Sequence, residues 1–408
     1  MYLDRPTLNA IRRLSFGGPH GGRRFFFLSQ AIFRGVRALV ATGRRLDDLL
    51  YPAHVTENVD RPVFIFAPPR SGTTYLHRLL SQDEDRFTHV RLYQTLLQSV
   101  TFTRAVERLA MLDRPLYGLP SRVLEAADRR FFGGWRDIHP MGLNQAEEDE
   151  GFLVFSLLSP GAFVFYPWVV DLPRAVSLDS VEEPVRRTVM AEYRSSVQRH
   201  LFANGRGRTW LNKTVLLAGR LQSVTETFPD ARFIYLVRHP YETVPSFVSM
   251  FTTFWPAFYS GWTADPEAVR QLAQLAIDYT KRSLELLDKL TPDRYLVVRY
   301  TELVAEPRKV VEDIYRHFGW KISEPLNRRL EAQIAAARGY RPRHEYSLER
   351  YGIERRMIHD QLRPFFDQFG FDRQLDPDPD PDPDPDSDPD PDPDPDDEWI
   401  EDDALDAP

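Results

Sequence analysis

Val63-Phe64-Ile65-Phe66-Ala67-Pro68-Pro69-Arg70-Ser71-Gly72-Thr73-Thr74-Tyr75-Leu76 changes character twice within one short stretch. Its first five residues are apolar and read as a buried strand, whereas Tyr75, Leu76, Leu79 and Leu80 recur at helical spacing. In between, Gly72 allows a close backbone turn and the N–H groups of the first helical turn point outward. Ser71, Thr73 and Thr74 contribute hydroxyls, and Arg70 contributes a fixed positive fork. An ordinary capped helix uses the same Ser and Thr. The buried strand before the loop and the arginine within it favour an anion cradle.

The same alternation continues outward. Ala231-Arg232-Phe233-Ile234-Tyr235-Leu236-Val237 is a second apolar strand, ending in Arg238-His239-Pro240, and Tyr295-Leu296-Val297-Val298-Arg299-Tyr300 is a third. Helical patterns occupy 184–204, 265–290 and 307–318. Apolar strands separated by longer helices predict an α/β fold, a parallel sheet flanked by helices in three layers, with ligands at the carboxyl ends of the strands. A Walker A loop, GxxxxGK[ST], is the nearest alternative for the first turn. Aligned on Gly72, however, the chain has Ala67 for the first glycine and Thr73 for the lysine, and the 231–237 strand ends in Arg238 rather than a magnesium-binding carboxylate.

Composition narrows the chemistry. Among 408 residues there is no cysteine, and the ten histidines show no paired metal-ligand spacing, so thiol and zinc chemistry are not expected. The net charge of −8 hides an asymmetry: residues 376–408 hold 17 acidic and no basic residues, leaving 52 basic against 43 acidic residues and a body of +9. A basic body suits an anionic ligand or surface. The only early apolar run, Phe25-Phe26-Phe27-Leu28, is too short for a signal peptide. The uncharged stretch from Phe152 to Val170 contains Pro160, Gly161 and Pro167, so it reads as buried helix or pocket lining rather than a membrane span. Residues 1–58 set Arg12, Arg13, Arg23, Arg24, Arg34, Arg37, Arg44 and Arg45 among Phe25, Phe26, Phe27, Phe33, Leu39 and Leu49. That pattern is a helical extension, resting either on the main domain or on anionic lipid. The Asp-Pro repeat cannot bury a core and favours stiff polyproline II, roughly 65 Å for 376–396 at about 3.1 Å per residue.

Arg70-Ser71-Gly72-Thr73-Thr74 after a strand resembles the 5′-phosphosulfate loop of sulfotransferases that use 3′-phosphoadenosine 5′-phosphosulfate (PAPS). Arg238-His239-Pro240, with Ser246 eight residues after Arg238, resembles their 3′-phosphate motif. Trp210-Leu211-Asn212-Lys213-Thr214 is similar to the family's lysine-bearing segment, and Val298 to Val304 to a later Arg-Tyr-Glu-Asp-Leu stretch. The resemblance spans about 60–365 and is nearest to the bacterial branch, which often carries a segment like His344-Glu345-Tyr346-Ser347-Leu348. It implies a P-loop-like sulfotransferase domain over 59–373, after the extension of 1–58 and before a disordered acidic tail of 374–408. It also implies sulfuryl transfer from PAPS to a hydroxyl acceptor, without a metal and without nucleic acid.

In that reading Arg70, Ser71, Gly72, Thr73 and Thr74 hold the 5′ end of the donor, and Arg238 and Ser246 hold its 3′-phosphate. Arg341 and Arg343 either close over the phosphates or form an exposed loop with His344. Lys213 and Arg70 stabilise the charge that grows as the bond to sulfur breaks. The general base departs from the family pattern: where relatives carry a Trp-Glu pair, this chain reads Leu92-Tyr93-Gln94, and an amide cannot take a proton. The candidates are His139 first and Glu148 second, from a run Glu147-Glu148-Asp149-Glu150 that also reads as a solvated helix start. Aromatic density at 152–168 and 251–262 suits a lipid or glycolipid alcohol ahead of a carbohydrate or peptide, and equally suits a core. Cytoplasmic residence follows, with peripheral membrane contact through 1–58. A catalytically silent nucleotide-binding relative and a degenerate P-loop kinase are the alternatives.

Overall fold

The computed structural model describes residues 1–17, 22–111, 146–259, 266–337 and 348–372. Five parallel strands form one sheet: β1 (Val63–Phe66), β2 (Phe87–Thr88), β3 (Thr209–Thr214), β4 (Arg232–Val237) and β5 (Tyr295–Arg299), in the order β2-β3-β1-β4-β5. Ile65 lies opposite Lys213 on one side and Ile234 on the other, and Val237 lies opposite Arg299. Strand side chains alternate between faces, and here both faces are covered. Val63, Ile65, Leu211, Ile234 and Leu236 share one apolar cluster with Leu76, Leu79, Leu80, Val310, Val311 and Ile314. Phe64, Phe66, Phe233, Tyr235 and Val237 share the other with residues of the helices Pro240–Thr252 and Pro266–Leu287. The result is the three-layer α/β sandwich that the alternation of strands and helices implies.

The helices Glu183–His200, Pro266–Leu287 and Pro307–His317 lie where their patterns placed them. Two strands carry no such signal. β2 has only two residues, and β3 interrupts its apolar run with Asn212 and Lys213, yet it is a central strand, buried from Trp210 to Thr214. The stretch after Glu148 is not a helix but three short 3-10 turns, Asp149–Phe152, Val154–Ser156 and Pro160–Val164. Most of its aromatic residues pack in the core: Trp255 Nε1 donates to the Phe163 carbonyl at 2.7 Å, and Tyr259 Oη donates to that of Phe165 at 3.0 Å. Trp262 lies outside the described residues.

The amino-terminal residues form α1 (Arg5–Gly17) and α2 (Arg23–Leu50), followed by α3 (Thr73–Leu80), which leaves the loop after β1. Ile11, Phe26 and Phe33 join the main core, and Phe25 stacks on Phe258 with ring centroids 4.4 Å apart. Near the end of α2 the buried Asp47 accepts from Ser99 Oγ, Val100 N and Thr101 N, and Arg199 Nε donates to it at 3.1 Å. Such a carboxylate caps the helix Val100–Met111 and ties α2 to the body.

Candidate active site

The loop after β1 is built under backbone strain. Arg70 has φ 64° and Gly72 has φ 81°, the left-handed region that only glycine enters freely. At Gly72 a Cβ would stand 3.0 Å from Leu303 and 3.1 Å from the Tyr300 ring, so a side chain there would crowd the helix Tyr300–Ala305 that follows β5. The turn at Arg70 presents its carbonyl to Arg238, whose Nη1 donates at 2.6 Å. Gly72 is the N-cap of α3 and provides no side-chain cap for the helix. Ser71 is fully buried, and its Oγ has no hydrogen-bond partner among the described residues. A buried hydroxyl and a helix N-terminus without a side-chain cap fit the oxygens of a bound anion.

β3 brings Lys213 to the same edge. The side chain is 3% exposed, and Nζ donates to Thr74 Oγ1 at 2.7 Å while lying 3.4 Å from Glu148 Oε1. Lys213 is therefore an interior strand residue aimed at the loop, not a surface lysine. His77, one turn further along α3, is buried, and burial together with nearby His89 and Lys213 holds its pKa well below the usual histidine range. Burial likewise lowers His89 to about 4, so both rings are neutral and the charge of this corner comes from Lys213, with Arg78 nearby.

The four acids of 147–150 separate by partner. Asp149, fully buried, accepts from Arg220 Nη2 at 2.6 Å and from the Tyr193 hydroxyl; Glu150 accepts from Arg220 Nη1 at 2.7 Å. Burial opposes the charge on Arg220, but the two carboxylates more than offset it and raise its pKa. Glu148 faces Lys213. Glu147 is pushed up to about 7, by burial and against the pull of Lys213, with Glu148 adding to the rise. The run is thus an anchored wall of the site rather than a solvated helix start. The sequence offered Glu147 only as one of four acids, ranked behind His139 and Glu148, and it carried no signal for Arg220 or Tyr193.

Across the loop, Arg238 is not a solvated strand end. Its Nε donates to Glu242 Oε2 at 2.7 Å, and the guanidinium lies 4.0 Å from the centroid of the Tyr300 ring. Ser246 is buried two turns into Pro240–Thr252. Arg70 and Arg238 therefore touch, and Lys213 touches Thr74, while no described contact joins Ser246 to the loop. Gln94 is a helix-capping residue: its Oε1 accepts from Arg91 N at 2.8 Å. His139, Arg341 and Arg343 lie outside the described residues.

This arrangement offers two adjoining cationic corners, one hydroxyl-lined loop and one carboxylate near the neutral range, which suits transfer of an anionic group to a proton-bearing acceptor. Comparisons with known proteins point the same way. A family model described as "Sulfotransferase family" matches residues 62–324. Over 337 residues, 80% of this chain and 79% of the relative, the sequence is 25% identical to a Mycobacterium bovis protein named omega-hydroxy-beta-dihydromenaquinone-9 sulfotransferase Stf3. In fold the chain is similar to sulfotransferase STF1 from Mycobacterium tuberculosis H37Rv, with TM-score 0.65 and 21% identity over 88% of this chain and 92% of that one. It is also similar to sulfotransferase STF9 from Mycobacterium avium, with TM-score 0.64 and 17% identity over 81% and 82%.

Proposed function

Because the chain belongs to the sulfotransferase family, we propose that it transfers a sulfuryl group from PAPS to the hydroxyl of a lipid-like acceptor, with Lys213 and the 147–148 carboxylates as the working groups. The donor supplies the sulfuryl group and leaves as adenosine 3′,5′-bisphosphate. Lys213 Nζ, already oriented by Thr74 at 2.7 Å, donates toward the leaving oxygen, where a compact ammonium is suited to growing charge. Arg70, Ser71, Thr73 and Thr74 hold the 5′ end, and Arg238 and Ser246 the 3′-phosphate. The acceptor proton goes to Glu147, since Glu148 is engaged with Lys213 at 3.4 Å, Asp149 and Glu150 are paired with Arg220, and burial pushes Glu147 up to about 7.

The observation that carries this reading is the meeting of Lys213, Thr74 and Glu148 at the carboxyl edge of the sheet. Glu147, next to Glu148 in the same run, supports a base in place of Gln94 and counts against a catalytically silent reading. A lipid-like acceptor is supported by the curated relative, whose name places its activity on a hydroxylated dihydromenaquinone. Titration with adenosine 3′,5′-bisphosphate should show binding without magnesium, lost on Arg238→Ala. Labelled sulfate should pass from PAPS into a lipid extract rather than a glycan extract. Bisphosphate binding with no labelled product from either extract would overturn the catalytic reading, and label in glycan alone would overturn the acceptor class.

A further inference from the structure

Two separate properties coincide on the outer side of α2. Phe26, Ser29, Phe33, Val40 and Asp47 form its buried side. At 100° per residue, Leu28, Ile32 and Leu39 fall on the opposite side together with Ala31, Gly35 and Ala38, all of them exposed. Phe27 is 61% exposed, Leu28 57%, Ile32 53% and Leu49 76%, and Phe16 of α1, 40% exposed, packs edge-on against Phe27. Scattered exposed leucines need no explanation, but a continuous row along a helix does. The second property is charge. From Arg5 to Leu46 the chain carries nine arginines and no acidic residue. Arg24, Arg34 and Arg45 are exposed and have no carboxylate partner among the described residues.

An apolar row edged by exposed arginines matches the interface of an anionic bilayer, where acyl chains take the row and headgroups take the guanidinium groups. α2 has the length and composition to cross a membrane, but its inner side is committed to the protein. Gln30 Nε2 donates to the Tyr166 hydroxyl at 3.1 Å, and Asp47 pairs with Arg199 at 3.1 Å. Crossing would break these buried polar contacts, so the helix lies on the surface. The buried side of the same helix leads to the site: the segment that starts at Glu147 continues to Phe155 and Phe165, which pack edge-on against Phe33 of α2 at 5.1 and 5.5 Å.

We propose that α2, with Phe16 of α1, is an interfacial docking face that seats the protein on an anionic bilayer and so presents its acceptor site to an alcohol held in that bilayer. The docking stands on the helix alone; delivery of the acceptor rests on the sulfotransferase reading. The full chain is mixed with vesicles of phosphatidylcholine, with and without phosphatidylglycerol, and bound protein is separated by flotation. Binding is expected on the anionic vesicles and should weaken as salt is added. The paired variants F27E/I32E and R24E/R34E should each reduce partitioning by about tenfold or more, with circular dichroism and bisphosphate affinity unchanged. No binding by the full chain, or equal binding by the variants, would overturn the proposal. So would concentration-dependent self-association lost in F27E/I32E without vesicle binding, which would assign the face to a second copy. Docking without sulfate transfer would leave the surface and remove the acceptor reading; transfer without docking would do the reverse.

Discussion

Among residues, Glu147 has the most direct experimental consequence. Its carboxyl sits at about 7 against an ordinary 4.5, chiefly through burial. A base works only when deprotonated, so kcat/KM should rise with pH to a midpoint near 7. Glu147→Gln should abolish that limb and reduce the rate by roughly 10²- to 10⁴-fold. The same shift acts on stability with the opposite sense. Between 4.5 and about 7 the folded chain holds a proton that the unfolded chain has released, so stability falls as pH rises and the loss is complete above 7. Glu147→Gln, neutral throughout, should therefore be more stable than the parent at pH 8 by on the order of 1–3 kcal/mol in urea titrations, and should differ little near pH 4. The acidic run was visible in the sequence, but its division of labour was not. It is set by Lys213 and Arg220, more than sixty residues downstream, and no local pattern announces which acid each will take.

At the scale of elements, the loop after β1 was readable because its sequence states its own geometry: apolar strand, glycine turn, amphipathic helix. Gly72→Ala should cost about 1–3 kcal/mol from the left-handed backbone and from contact with Leu303 and Tyr300, and should weaken binding in a titration with adenosine 3′,5′-bisphosphate. β3 was harder to read, since Asn212 and Lys213 sit in a central strand where apolar residues are the rule. A strand that brings a functional cation to its carboxyl end has to break the pattern by which strands are recognised. The turns of 149–164 escaped for a related reason. They are apolar enough for a helix, yet their shape is held by the buried Arg220 with Asp149 and Glu150 rather than by periodicity. Arg220→Leu leaves two buried carboxylates uncompensated and should destabilise the fold by about 3–5 kcal/mol, read from chemical denaturation.

For the molecule as a whole, the layered α/β architecture and both flanking helix sets followed from alternation, while the strand order did not, since two of five strands went unread. The amino-terminal helices were foreseen as helices; their docking through Phe25, Phe26 and Phe33 needed the partner surface of the body to be known. At the other end, the last described residue, Asp372, offers its carbonyl to His239 Nε2 at 2.8 Å, in the turn that carries Arg238. A chain ending at Leu375 keeps that contact. It should melt within about 2 °C of the full chain, since an Asp-Pro repeat lacks the large apolar side chains with which to bury a core, and its net charge changes from −8 to +9 when the 17 acidic residues are removed.

The guanidinium of Arg238 belongs to the turn after β4, holds the carbonyl of the turn after β1 and lies on the Tyr300 ring at the start of the helix after β5. Three segments are thereby fastened at one rivet, and in the proposed function the same side chain takes the donor's far phosphate. Whatever grips one end of that nucleotide tightens the other, so the two half-molecules, offered as separate fragments, should bind with a summed free energy well short of the intact ligand's.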